Sequence, residues 1–284
     1  MGRLALAAAA AALLLGATAC GERSEPTGAT AKLYPVTIQT GDQQLVVTKP
    51  ALRIAVLDKP VQGIVTALGD GSRIVVRAPE NQVDFAALRR THPDLIVASE
   101  GADERDLSRA AAVTHAQVYL APGDSIHQIE RAITQLGLLT GKPVQARALV
   151  HHIEAQRHLV DRRLARQPDV TVFVDTGLFT TVADSSLTGD MVREAHGKNV
   201  AGSVAEGQPV DPTDLRQLDP DVYLATSDTQ LTLADLRRNP RTRRLRAIRD
   251  GRFVVIDTGL LQPGPAIGDG LIQIARLLHP DAFR

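Results

Sequence analysis

The sequence has no tryptophan, and aromatic residues make up only 3% of its 284 positions. A site built mainly on ring stacking would have just five Phe and three Tyr to draw on. Any ligand cleft is therefore expected to be more aliphatic and polar than aromatic. Net charge is absent too: 32 Lys and Arg balance 32 Asp and Glu, so the basic footprint of nucleic-acid binding is missing. No G-x-G-x-x-G, Walker A loop, G-x-S-x-G elbow or H-E-x-x-H occurs, which removes the common enzyme signatures. What is present is ordinary globular composition, 44% apolar and 23% charged. The length suits two modest domains, each able to bury a core.

Cysteine occurs once, as Cys20, which excludes an intramolecular disulfide and any multi-cysteine metal or cluster site. Its position gives it meaning. Arg3 precedes an apolar run over residues 4–15, and Gly16-Ala17-Thr18-Ala19 leads to Cys20. That is the charged start, short apolar core and small-residue cleavage site of an export signal, too short to span a bilayer. The segment resembles a bacterial lipobox, with Ala17 where that motif usually has Leu. Residues 1–19 are then the signal peptide, and Cys20 is the lipidated first residue of the mature chain. Residues 20–32, polar and carrying Pro26 and Gly28, form a tether. Ala17-Thr18-Ala19 also reads as an ordinary A-x-A site, which would leave a secreted soluble protein.

From residue 33 the chain alternates short apolar runs with helical stretches. Residues 33–38 and 44–48 flank Thr40-Gly41-Asp42 and predict a hairpin. Runs at 53–57, 73–76, 94–98 and 117–120 predict strands, as do 170–174, 221–225 and 253–256. This rhythm predicts an α/β fold with parallel sheets covered by helices on both faces. Between the two sets, residues 143–166 begin with Pro and place Leu149, Ile153, Val160 and Leu164 at helical spacing. The expected organisation is an N-terminal lobe over 33–141, a connecting helix within 142–168 and a C-terminal lobe over 169–284.

An internal repeat supports duplicated lobes. Val83-Asp84, Leu88 and Pro93-Asp94 recur as Val210-Asp211, Leu215 and Pro220-Asp221 at a constant offset. Each copy reads as a helix capped by Asp, stopped by Pro-Asp and followed by a buried strand. The eight histidines form no close pair with carboxylates at metal-ligand spacing; His151 and His158 lie two turns apart on a solvated helix face. No metal site and no cofactor is expected.

The order and spacing of these motifs resemble the class III periplasmic-binding-protein family, which serves importers of ferric siderophores, haem and cobalamin. The resemblance runs from Tyr34 to the end. It rests on Arg53-Ile-Ala-Val-Leu57 followed by Ile64 to Gly69, the two helix-Pro-Asp-strand units, and Leu136-Gly137 through Gly141 before the long helix. In the second half it rests on Gly197-Lys-Asn199, Gly251 to Asp257, and Pro263-Gly-Pro265 with Asp269. It implies two Rossmann-like lobes with parallel sheets, joined by one long helix and closing little on a ligand. It further implies a small-molecule ligand, an ABC permease as partner, a membrane contact through the lipid anchor, and a monomer. The protein is then exported and anchored to the outer face of the cytoplasmic membrane, or periplasmic. Proteins of this family carry a docking glutamate on each lobe, three residues after the equivalents of Val83 and Val210. Ala86 and Thr213 stand there, leaving Asp84, Asp211 and Asp214 as displaced candidates.

In open parallel sheets, ligands bind beyond the carboxyl ends of the strands. That rule selects Asp58, Lys59, Arg77, Asn81, Ser99 and Glu100 in the first lobe. In the second it selects Gly177, Leu178, Phe179, Ser227, Asp228, Leu260 and Gln262. Phe179 is the expected apolar wall, and Lys59 and Arg77 the expected partners of a ligand anion. Absence of Trp weighs against a stacked corrin, and absence of a His or Tyr at a strand end weighs against haem ligation. A ferric siderophore is the first expectation. An anchored sensor or scavenger without transport shares this fold and cleft, and a secreted Rossmann-like enzyme is the second alternative.

Overall fold

The strands β5 (Leu95–Ser99) and β9 (Val222–Thr226) are almost wholly buried apolar runs. A strand buried on both faces is the mark of a parallel sheet covered by helices. The computed structural model describes residues 33–284 and contains two such sheets.

In the N-terminal half, a hairpin of β1 (Val36–Thr40) and β2 (Gln43–Val47) turns at Gly41, whose φ is 53°. It is held at the edge strand β6 (Gln117–Ala121), where Leu120 N–H donates to Thr40 Oγ1 at 2.7 Å. The parallel sheet that follows has the order β4-β3-β5-β6, with β3 at Ile54–Val56 and β4 at Ile74–Val76. Helices α1 (Lys59–Ala67), α2 (Phe85–Thr91), α3 (Glu104–Thr114) and α4 (Ile126–Thr140) cover it. Their starts are specified locally, by Asp58, Asp84, Asp103 and Ser125 as caps.

The long helix α5 (Pro143–Leu164) comes next, 22 residues with Pro at its start and no glycine, about 33 Å long. It lies tight against α4: a Cβ on Gly137 would sit 2.3 Å from that of Ala146. The second parallel sheet has the order β10-β9-β7-β8, from β7 (Val170–Asp175), β8 (Gly197–Asn199), β9 and β10 (Phe253–Ile256). Helices α6 (Leu187–Glu194), α7 (Pro212–Leu218), α8 (Leu233–Arg238), α9 (Arg246–Arg249) and α10 (Ile267–Leu278) surround it. Each sheet has its own apolar core, around Ile96 and Leu88 in the first and around Phe173, Tyr223 and Leu215 in the second.

The repeat has a structural cause. Helices α2 and α7 both end on a left-handed residue, His92 at φ 44° and Asp219 at φ 38°. The Asp after each Pro then secures the start of the neighbouring strand. Asp94 accepts from the N–H groups of Leu52 and Arg53 at 2.9 and 3.0 Å, and Asp221 accepts from Thr171 N–H at 3.1 Å. Strand β8 is a correction to the sequence reading, which placed no strand over Gly-Lys-Asn. Its three residues are strand because β7 pairs with them, Val170 with Gly197 through Val172 with Asn199.

Candidate functional site

Segments that follow strands of the two sheets come into contact. The segment after β10 comes against the first half: a Cβ on Gly123, after β6, would lie 3.5 Å from the ring of Pro263, and one on Gly63 of α1 3.9 Å from that of Pro265. Nearby, Ile126 N–H at the start of α4 donates to Asp190 Oδ2 of α6 at 2.9 Å.

On the first half, Asp58 follows β3 and is committed to the backbone. Its Oδ1 accepts from Val61 N–H at 3.0 Å, capping α1, and its Oδ2 accepts from Ser99 N–H at 2.5 Å, which ties β3 to the end of β5. Lys59 donates to Glu80 at 2.9 Å. Arg77, Asn81 and Glu100 are exposed, and Arg77 has no ion pair among the described residues. A cavity of about 320 Å³ opens beside Asp58 and Ser99, walled by Leu57, Val83 and Leu107 with Asp103 and Asp106.

On the second half, the loop after β7 is the most constrained element of the site. Gly177, Leu178 and Phe179 follow one another at φ 131°, 53° and 63°. Two non-glycine residues in the left-handed region are costly, and such strain persists only where the surroundings over-determine it. Asp175 does so from beneath. Wholly buried at the end of β7, it accepts from Gly177 N–H at 2.8 Å and from the Tyr223 hydroxyl at 2.5 Å. Burial pushes its carboxyl up from the ordinary range, against the lowering by those hydrogen bonds. Thr180 N–H closes the loop onto Gly177 O at 2.9 Å. The loop presents Leu178, 89% exposed, at its tip. Phe179 instead packs partly onto the core.

Beside this loop, a cavity of about 310 Å³ is lined by Leu178, Phe179, Leu231 and Leu236, with Asp228, Asp235 and Asn239 at its margin. Ser227 Oγ accepts from Thr258 N–H at 3.1 Å, joining the ends of β9 and β10. Leu260 is half-buried in the turn after β10 and Gln262 is exposed. The residues selected from the sequence thus lie at strand ends of both sheets; Asp58 and Ser99 meet directly, and Leu178, Phe179 and Asp228 share one cavity. Asp175, Leu231 and Asn239 were missed; the only signal for Asp175 was a carboxylate closing an apolar strand.

Asp84 and Asp211 are exposed helix caps, accepting from Ala87 N–H at 2.8 Å and Thr213 N–H at 2.6 Å. Asp214, in the first turn of α7, is exposed. Cys20 lies outside the described residues. Among the described residues, no group of three His, Cys, Asp or Glu is placed to hold a metal ion, and no helix is long and apolar enough to cross a membrane.

The profile of the family described as "Periplasmic binding protein" matches residues 44–259. The high-affinity heme uptake system protein IsdE of Staphylococcus aureus is 29% identical over 112 residues, which are 37% of this chain and 38% of that protein. The periplasmic heme-binding protein RhuT from Roseiflexus superposes with a TM-score of 0.70 at 18% identity, covering 82% of this chain and 99% of that one. The periplasmic vitamin B12 binding protein BtuF of Vibrio cholerae gives 0.70 at 17% identity, covering 83% and 99%. At these identities the structural likeness bears on the fold alone.

Proposed function

This chain belongs to the periplasmic binding protein family, and from that premise we propose that it is the substrate-binding lipoprotein of an ABC importer. The family is one of binding proteins and not of enzymes, so no residue is assigned to catalysis. The observation that carries the reading is the presence of two four-stranded parallel sheets, each with a cavity beside its strand ends. A ligand held across them is contacted from both halves and released unchanged to a permease.

Within that role the ligand is a ferric siderophore or a similar iron- or cobalamin-type chelate. Relatives named for heme and for vitamin B12 support a metal chelate as the class. The lack of Trp and of a strand-end His or Tyr favours the siderophore within it. Cys20 is the lipid attachment, and more than one acyl chain supplies a stable hold.

Native mass spectrometry of the protein purified from its own host tests the role directly. A co-purified chelate released unchanged supports it; turnover of any metabolite would overturn it in favour of an enzyme. Cys20→Ala is expected to move the protein from the membrane to the soluble fraction, and wild type already soluble after export would remove the anchor.

A further inference from the structure

The amino ends of the first parallel sheet form a face opposite its strand-end cavity. Ile54, Leu95 and Gln117, the first residues of β3, β5 and β6, stand in register there. A cavity of about 230 Å³ opens beside them, lined by residues 47–51 with Leu139. Its surroundings are tied together by hydrogen bonds. Ala51 N–H donates to Leu139 O at 2.8 Å, Arg73 Nη1 to Thr140 O at 2.7 Å, and the Gln117 side-chain amide to Val46 O at 3.0 Å. Three large apolar side chains stand uncovered around this joint: Val46 is 53% exposed, Leu52 59%, and Val144, four residues after Thr140 in the first turn of α5, 70%.

Charge on this face is one-sided. The segments at its surface, residues 48–53, 68–73, 89–94, 113–116 and 141–147, hold seven Lys and Arg against two Asp. Neither Asp offsets them outside the fold. Asp70 is buried and paired with Arg73 at 3.1 Å, and Asp94 accepts from the N–H groups of Leu52 and Arg53. Lys49 and Arg147 are exposed, and neither they nor Lys142 form an ion pair among the described residues. Arg53 reaches only carbonyl oxygens, those of Thr91 and His92. The chain also enters the fold here. Val36, the first residue of β1, pairs with Val47, so the covalent path from Cys20 to residue 35, at most about 55 Å when fully extended, arrives beside Lys49.

We propose that this face, with Val46, Leu52 and Val144 set among Lys49, Arg53 and Lys142, lies on the anionic lipid surface of the membrane that holds Cys20. This rests on the anchoring reading above. Interfacial binding draws on apolar side chains entering the headgroup boundary and on cations attracted to anionic lipid. The face supplies both, and its carboxylates are engaged within the fold. A short covalent link to the bilayer keeps it at high local concentration there. Seated in this way, the molecule turns the cavity beside Asp58 and Ser99, at the opposite ends of the same strands, away from the lipid.

The test uses the exported full chain carrying Cys20→Ala, free of the acyl chains that would mask a weak contact. It is sedimented with vesicles of phosphatidylcholine alone or mixed in equal parts with phosphatidylglycerol. Binding is expected to the mixed vesicles and not to the neutral ones, and several-fold less at high salt, where headgroup charge is screened. Lys49→Gln and Lys142→Gln should each weaken it about fivefold, the effect of one basic residue at an anionic surface. Leu52→Ser and Val144→Ser should weaken it at either salt concentration. Arg243→Gln with Arg244→Gln, on the arginine-rich stretch of the second half, should change nothing. No preference for the anionic vesicles, or loss of binding only in the Arg243 and Arg244 variant, would overturn the assignment and leave the anchor standing. A dimer in solution that Val144→Ser converts to monomer would also overturn it, giving the face to a second copy. Wild type already soluble after export would remove the anchor, while vesicle binding by the Cys20→Ala chain would still uphold the lipid-facing surface.

Discussion

The Tyr223 hydroxyl, buried on β9, donates to Asp175 Oδ2 on β7 at 2.5 Å. This bond joins neighbouring strands beneath the loop that carries Leu178. It also leaves the Tyr223 hydroxyl, raised far above its ordinary pKa by burial and by the Asp175 charge, permanently protonated. Replacing Tyr223 by Phe keeps the ring packing on Phe173 and removes one of the few partners of a buried carboxyl. A loss of about 1–3 kcal/mol is expected, read from urea unfolding, with faster amide exchange at Gly177.

Asp175 also sets a pH dependence. Burial raises its carboxyl above the ordinary value despite the hydrogen bonds from Tyr223 and Gly177. Between the unfolded and the raised native value, the folded protein holds a proton that the unfolded chain has released. The contribution of this group is therefore complete below the ordinary carboxylate range and declines as pH rises through the native value. Subtracting the unfolding free energy of Asp175→Asn from that of wild type should give a difference that falls with pH across this window. A flat difference would show that Asp175 does not titrate there.

Arg157 on α5 holds Glu194 of α6 through two hydrogen bonds of 2.8 and 2.9 Å and reaches Glu130 of α4 at 3.4 Å. Glu130 is only 6% exposed, so losing its cation leaves a desolvated carboxylate. Arg157→Met is expected to cost about 3 kcal/mol. Adding Glu130→Gln should return part of that loss, and a double-mutant cycle on the pair measures the share.

How much of this was legible beforehand depended on whether the cause was local. The capped helices α2 and α7, the glycine-free α5 and the apolar strands carry their signals in adjacent residues, and the structure has them within a few positions of where the pattern put them. Helix α5 ends at Leu164, two residues short of the periodic stretch. Strand β8 and the burial of Asp175 were not legible, because their causes lie elsewhere in the chain: pairing with β7 in one case and Tyr223, 48 residues on, in the other. The cavity lining followed the same division. Leu178 and Asp228 sit at strand ends, where a rule selects them, whereas Leu231 and Asn239 reach the cavity through the path of α8.

Helix α5 packs against α4 on one side and α10 on the other, and it offers no glycine or internal proline as a hinge. Ligand binding is expected to leave the scattering profile nearly unchanged. A clear fall in radius of gyration with ligand would contradict a rigid connector.

Docking to a permease gives the last prediction. If the docking positions fall where the family resemblance implies, Ala86 and Thr213 stand in place of the docking glutamates, and the usual ion pairs would have no partner on this side. Asp84 and Asp211 stand two residues earlier at matching points of the repeat, both exposed and both capping their helices. Hydrogen bonds from the Thr213 backbone and hydroxyl hold Asp211 below the ordinary carboxylate range, so it stays charged at neutral pH. A capping carboxylate at an exposed helix start can still meet a partner's cation, and exposed charge pairs act on association rate more than on affinity. Asn retains the cap while removing the charge. The Asp84→Asn, Asp211→Asn double variant should therefore keep wild-type stability and associate several-fold more slowly with the reconstituted permease at low salt. The two proteins should converge at high salt, where exposed charges are screened. An unchanged rate at low salt would remove the acidic pair from docking, and failure of the wild type to bind any permease would favour an anchored sensor over an importer component.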